Sequence, residues 1–457
     1  MHEEQWNSEG YFWVDESEAL PGFISYSAET GAQLRLTGVF GDPFQHWAQT
    51  SVTRLSVVQG STKKHRGIFL LDVLERNRSI FMSGGMNEAL LSSTRILTTE
   101  TSHDVSSALF LRLGTSFRGL DEWLDVSGFQ VTIDFAESFA VKAFYRRPDP
   151  LVFHGDDFDV EFKFTTRSPV LRRPQTELMI KQFAYLEIIP HQPKPFTELF
   201  ACLVQTSDLI SLAMGSPLSF AKLNGELAIP TVGNGWPSAE IWLKLGRNRK
   251  VEEVETNQFL FTLQEVKDEF QGMLKAWGNR LKVIEPTYNL YFAVSKSTGM
   301  HVEHRLFNLF QALESYHQRL EPTDKSAREE ARKKRDAVLA AAPLEAKQWL
   351  KEKLAFCLEP TAAERIKDLV KRFEAEWIFP QPWEGVVQRI AKIRNYLTHY
   401  RNKPPDADLK LVALHNFGSM LQVLCEVLFL CELGFPKEKA RAFLTSKRRL
   451  QSLTLQD

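Results

Sequence analysis

Cysteine is scarce: four residues in a chain of 457 (Cys202, Cys357, Cys425 and Cys431), none in C-x-x-C spacing and all in apolar surroundings. That pattern argues against a disulfide framework and against a zinc site, and for reduced thiols in a cytosolic protein. Walker A, G-x-G-x-x-G and G-x-S-x-G motifs are missing. His301-x-x-His304 brackets Glu303 but is not H-E-x-x-H, and His154 and His415 likewise lack acidic or cysteine partners at metal-ligand spacing. Neither a metal nor a cofactor is expected. No apolar run is clean enough to span a membrane: the most apolar stretch, 409–433, is interrupted by His415, Asn416, Gln422, Glu426 and Glu432, and reads as a buried helix. The opening Met1–Trp6 has neither the basic nor the apolar region of a signal peptide, so a cytoplasmic location is expected. No internal repeat of solenoid length is evident.

What the chain does contain is ordinary in bulk and uneven in arrangement. Its length allows two or three domains with substantial cores, and 43% hydrophobic with 25% charged residues is a soluble, globular balance. The near-zero net charge hides an asymmetry. Residues 300–457 hold 27 lysines and arginines against 21 acidic residues, while residues 1–299 hold 29 against 36. Excess positive charge in the C-terminal third suits a polyanionic substrate. It suits ordinary solvated helix faces equally well.

Residues 1–190 read as β-rich. Runs such as 22–26, 32–36, 67–71 and 129–135 are rich in β-branched and aromatic residues and are set off by glycines. Residues 158–164 alternate most cleanly, as a half-exposed strand should. This density of strands predicts a sandwich or open barrel. Residues 195–283 are mixed. A helix is expected from Pro195 to Met214, stopped by Gly215 and Pro217, then a strand over 239–245. A second helix is expected over 262–281, with Thr262 as N-cap and Glu265 three residues on. Pro286 is expected to mark the passage to the next domain, with the boundary near 295.

From Met300 the period changes to helical. Val302, Leu306, Leu309, Phe310, Leu313, Tyr316 and Leu320 form one stripe, and 323–342, with "REEARKKRD", is expected to be solvated all round. Helices follow over 344–358, 361–373, 383–400 and 406–433. Gly434 stands as a C′ residue, Pro436 lies beyond it, and a basic helix closes the chain. The expected fold class is α+β multidomain: a β-rich region over 1–295 (1–190 plus a mixed 195–283 segment), then an all-α bundle over 296–457.

The chemistry concentrates in "KIRNYLTHY". Val386, Val387, Ile390, Ile393, Leu397 and Tyr400 are an apolar stripe, and Pro404 and Pro405 end the helix. Beside the stripe stand Arg394, Asn395 and His399. A guanidinium fork recognises phosphate oxygens, and an imidazole moves protons near neutrality. A structural helix end is the plainer reading of these residues taken alone. Arg394-Asn395-x-x-x-His399 inside a helical region resembles the Rx4-6H signature of HEPN domains, many of them metal-independent endoribonucleases. The opening "GYFWVDESEALPGFISYS…GAQLRLTG" resembles the N-terminal domain of ApeA-like anti-phage proteins, in which a β-rich region precedes a C-terminal HEPN domain.

The resemblance implies an RNA substrate cut at a site formed by Arg394, His399 and Asn395, with Glu314 holding the arginine. Tyr400 is a supporting candidate; His317 and Arg319 are weaker ones. It also implies a homodimer through the HEPN bundle. Five positions on an ideal helix separate two side chains by about 140°, so Arg394 and His399 meet only if the helix distorts or a second subunit completes the site. The N-terminal region would sense or bind a partner, for instance a phage-derived trigger. The alternative function is a non-catalytic HEPN module for dimerisation or ligand binding. Exposure of His399 in a basic groove favours catalysis; a packed, satisfied His399 favours the alternative.

Overall fold

The computed structural model describes residues 5–446 apart from 16, 42–52, 82–84, 102–107, 135–139, 168–178, 230–234, 246–253, 255, 298, 321–324, 356–358 and 400–410. The chain forms two compact units. The first comprises Met1–Ser211, Leu218–Val254 and Thr262–Gln271; the second comprises Leu212–Pro217, Glu255–Phe261 and Gly272–Asp457.

The first unit opens with β1 (Trp6–Trp13), β2 (Leu20–Ser27), β3 (Gly31–Thr37), β4 (Arg54–Thr62), β5 (Gly67–Ser79) and β6 (Glu88–Ser93). In β3, Ala32, Leu34 and Leu36 are buried while Gln33, Arg35 and Thr37 are exposed, the period-2 pattern of a strand with one face on a core. Antiparallel pairing runs β4-β1-β2-β3-β6, and β5 joins both β4 and β6, so six strands close into a barrel. Closure leaves these strands without open edges. Phe12, Ile24, Leu34, Leu36, Val58 and Leu70 fill the interior. Gly60 is required there, because a Cβ at that position would overlap the Phe12 ring.

The chain continues through β7 (Arg95–Thr99), β8 (Leu109–Thr115), α1 (Leu120–Leu124), β9 (Phe129–Asp134), β10 (Ala140–Tyr145), β11 (Leu151–His154), β12 (Phe158–Arg167), β13 (Lys181–Pro190), β14 (Lys194–Pro195), α2 (Phe196–Met214), β15 (Lys222–Leu227) and β16 (Ser238–Leu243). β7 pairs with β5, and the sheet extends antiparallel as β7-β16-β15-β8-β13-β12-β11. β12 behaves as its alternation predicts, with Val160, Phe162 and Phe164 buried. β5 joins the barrel to the extra strands. Over Gly67–Leu71 it pairs with β7 while it also pairs with β4, and from Leu74 onward it pairs with β6. A 13-residue strand thus serves the barrel and the extra sheet together. α2 stops where expected, at Gly215, whose φ of 67° suits glycine.

Two expectations are corrected between the units. The helix predicted from Thr262 begins only at Phe270, as α3 (Phe270–Ser295), although Glu265 does accept a 2.7 Å bond from the Thr262 N–H. Pro286 does not separate domains. It lies inside α3, where Ile284 (φ −101°, ψ 21°) kinks the helix because proline lacks the N–H that would bond four residues back. Along α3 the junction of the two compact units falls at Gln271/Gly272. The helical period is continuous across it, so periodicity alone misses it.

The second unit continues with α4 (Val302–Leu320), α5 (Lys325–Ala341), α6 (Leu344–Lys353), α7 (Ala362–Arg372), α8 (Trp383–His399), α9 (Leu411–Glu432) and α10 (Lys437–Thr445). α4 packs on α7, α8 and α9, burying Leu306, Leu309, Phe310, Leu313 and Tyr316 of its predicted stripe. α9 is long and apolar enough to cross a membrane, but most of it is buried in the bundle. Its Glu426 accepts a 3.0 Å bond from the Tyr291 hydroxyl, which offsets the cost of burying a carboxyl group. α9 ends in a Schellman motif. Gly434 (φ 96°) donates to Cys431 O and Phe435 donates to Leu430 O. α7 begins with a Thr361/Glu364 capping box. α5 is charged, and its described side chains are largely exposed, as its sequence predicts. Cys425 is buried and free, Cys202 and Cys431 are half-buried and free, and Cys357 lies outside the described residues.

Candidate active site

α8 is amphipathic in the ordinary way. Trp383, Val387, Ile390, Ala391 and Ile393 are buried, and each large apolar side chain contributes about 1.5–3 kcal/mol on removal from water. Leu397 is only half-buried, and Tyr400, Pro404 and Pro405 lie outside the described residues. The opposite stripe carries Gln388, Lys392, Asn395 and His399, all exposed and within about 60° of one another at 100° per residue.

Arg394 falls within the buried stripe, four residues after Ile390 and seven after Val387. It faces α4, where Phe307, Phe310, Gln311 and Glu314 line one helical face at spacings of three and four. Its Nη2 donates to Glu314 Oε2 at 2.8 Å and to Gln311 Oε1 at 3.3 Å. The guanidinium carbon lies 5.7 Å from the centroids of both phenylalanine rings. Both charged side chains are mostly buried, Arg394 18% and Glu314 11% exposed. Burial pushes the Glu314 carboxyl above the ordinary carboxylate range, and the Arg394 charge opposes that shift only in part.

Asn395 connects the two faces. It stands on the exposed stripe with His399, and its Oδ1 accepts from Arg394 Nη1 at 3.2 Å. One edge of the guanidinium is therefore held by α4 and the other is turned towards the stripe that carries the histidine. α8 remains helical through His399, so no distortion at Thr398 brings arginine and histidine together. Thr398 instead bonds back to Arg394 O at 2.9 Å, within the helix. Each side chain keeps its own direction.

Glu314 on α4 contacts Arg394. Gln311 was missed, although it lies three residues before Glu314 on the same face, a spacing that could have singled it out. Arg319 donates to Val283 O at 3.1 Å, away from Arg394. His317 is buried, with Nε2 3.1 Å from Asp368 Oδ2 and Nδ1 without a partner among the described residues. Burial holds the His317 imidazole below the ordinary 6.5; Asp368 raises it, and Arg365 and Arg372 lower it further. The unfolded chain then binds this proton more readily than the folded one. The His317 contribution to stability is complete above about pH 6.5 and declines as pH falls below it. His317→Gln is expected to flatten the loss of melting temperature between about pH 7 and 5.5, as read by circular dichroism.

The fold and the site define a class: a β-barrel-based N-terminal region joined to a helical unit whose last long amphipathic helix carries an Arg-Asn-x-x-x-His element. Sequence comparison identifies both parts. The sequence model of ApeA N-terminal domain 1 matches residues 7–277, and that of the Apea-like HEPN domain matches residues 307–439. The chain belongs to the ApeA family, with a C-terminal HEPN domain that contains Glu314, Arg394, Asn395 and His399. No curated protein and no solved structure matches it. The family points to anti-phage defence, and HEPN domains are typically nuclease-like.

Proposed function

We propose that this protein is a metal-independent endoribonuclease of anti-phage defence, cutting RNA at a site built from Arg394, Asn395 and His399. The observation that carries this reading is the Asn395 link, which turns the Arg394 guanidinium towards the stripe where His399 is exposed. Lys392, one turn before Asn395 on that stripe, adds a cation where a phosphate backbone would lie.

RNA supplies its own nucleophile, the 2′-hydroxyl. His399 removes the 2′-hydroxyl proton as the 2′-oxygen bonds to phosphorus, and a protonated His399 supplies a proton to the 5′-oxygen as the P–O5′ bond breaks. Arg394 stabilises the charge that builds on the phosphoryl oxygens, with Glu314 and Gln311 as positioning residues. The products are a 2′,3′-cyclic phosphate and a 5′-hydroxyl.

Because one helix directs Arg394 and His399 about 140° apart, a complete site needs two chains, and HEPN domains commonly dimerise. A symmetric dimer with α8 at the two-fold axis would pair each arginine with the partner's histidine. Sedimentation of the purified protein is expected to give a dimer or larger assembly; a strict monomer that cleaves RNA would refute the shared site. Cleavage of single-stranded RNA, with DNA spared, is expected to persist in excess EDTA, and activity appearing only on addition of a divalent metal would overturn the mechanism. The protein is proposed to act in the cytoplasm, with the N-terminal region restraining or triggering the nuclease.

A further inference from the structure

β9 and β10 form a two-stranded ribbon outside the large sheet. Their register is continuous over six rungs, from Phe129↔Tyr145 to Asp134↔Ala140. Residues opposite one another share a face, so Phe129, Val131, Ile133, Val141, Ala143 and Tyr145 form one side, apolar except for the Tyr145 hydroxyl. Beyond half-buried Phe129 and Tyr145 at its base, that side is uncovered: Val131 is 59%, Ile133 50% and Val141 51% exposed. The other side is mixed, carrying Gln130, Thr132, Asp134 and Lys142 beside exposed Phe144.

The edges are open as well. Among the described residues, β9 and β10 pair only with each other, so the outer rows of backbone donors and acceptors over Phe129–Ile133 and Val141–Tyr145 have no described strand partner. Soluble proteins usually blunt such an edge with lysine, proline or a bulge. β9 has none of these; its sequence is Phe-Gln-Val-Thr-Ile-Asp. The ribbon is also firmly based. Arg146 N donates to Gly128 O at 2.9 Å, and Gln182 on β13 accepts from Gly128 N at 3.0 Å while donating to Val126 O at 2.8 Å.

We propose that the β9–β10 ribbon is a docking surface that takes up an extended segment of a partner polypeptide as a third strand, the segment alternating apolar and polar residues and carrying acidic groups. Size argues against a second copy as the occupant. Six rungs and two strands present a face of only about 20 Å by 10 Å, against about 800 Å² per partner in a stable interface. An added strand needs less face, because its main chain bonds to the free edge. Charge supplies the acidic requirement: β10 runs directly into exposed Arg146 and Arg147. This surface is independent of the nuclease reading, since binding to it is measured without RNA.

The test is selection of random-sequence displayed peptides, each longer than the six-residue strand, on the purified full-length protein. Enriched peptides should alternate apolar and polar residues and contain aspartate or glutamate. Their affinity should fall about tenfold or more for Val131→Thr/Ile133→Thr/Val141→Thr, which keeps β propensity and removes apolar surface. It should also fall several-fold for Arg146→Glu/Arg147→Glu, a variant that leaves the apolar face intact. Hydrogen exchange should show new protection of β9 or β10 edge amides in the bound protein. Enrichment only of peptides indifferent to both variants, or of none, overturns the proposal. So does a change of oligomeric state in the threonine variant, which would make the occupant a second copy, or ribbon-dependent binding to phosphatidylserine vesicles, which would make it a membrane.

Discussion

His399→Ala is expected to reduce RNA cleavage by the intact protein by about 10²–10⁴-fold, the usual contribution of a positioned acid–base group. The fold should not change. His399 is exposed at the end of α8, and such a substitution normally shifts stability by no more than about 0.5 kcal/mol. The measurement is a single-turnover assay on single-stranded RNA, paired with a thermal melt of the same preparation. A well-folded variant that cuts at the parental rate would remove His399 from the mechanism and favour a non-catalytic HEPN module. Growth arrest on expression of the parent, relieved by the substitution, is the corresponding result in cells.

Arg394 and Glu314 should behave differently, because their pair is mostly buried. Removing either partner leaves the other charge partly desolvated and unmatched. Arg394→Ala and Glu314→Ala are each expected to cost about 2–4 kcal/mol, somewhat less than a fully buried pair. The double variant should cost less than the sum, since no orphan charge remains. Activity separates the two roles. Arg394→Lys keeps the charge but loses the planar fork that reaches Glu314, Gln311 and Asn395 together, so cleavage should fall nearly as far as in Arg394→Ala. Glu314→Gln keeps a hydrogen-bond acceptor for Arg394 and should retain more activity than Glu314→Ala. Equal and complete loss in all four variants, with melts unchanged, would contradict a positioning role for Glu314. Additive stability costs in the double variant would contradict the buried pair.

Much of this protein was legible in its residues. The alternation over 158–164 became β12, and the Leu306-to-Tyr316 stripe became the buried face of α4. Gly434 ended α9 as its place in the sequence suggests. These are local signals: side-chain period, cap chemistry and turn residues act within a few positions of themselves, so one sequence suffices to read them. The same holds for Arg394 and His399, whose opposed directions follow from helical geometry once the helix is recognised.

Residue patterns alone were silent about partners far apart in the chain; only the family resemblance set Glu314 beside Arg394, 80 residues away. Barrel closure depends on β5 pairing with β4, β6 and β7 at different points along its length, and no residue in 67–79 announces which strands those will be. Gln311 reads as an ordinary helix glutamine until α4 and α8 pack and bring it to Arg394, 83 residues away. Residues 129–134 read as a strand like any other, yet they form an exposed ribbon where β12 forms part of a sheet. Pro286, read as a boundary, became a kink because the buried contacts of Trp277 and Phe292 with Phe429 hold α3 in place on both sides of it. Local propensities of about 1 kcal/mol per residue decide what each segment can become. Which strand meets which edge, and which side chain meets Arg394, is decided by burial over the whole unit, where the non-local contacts outweigh those propensities.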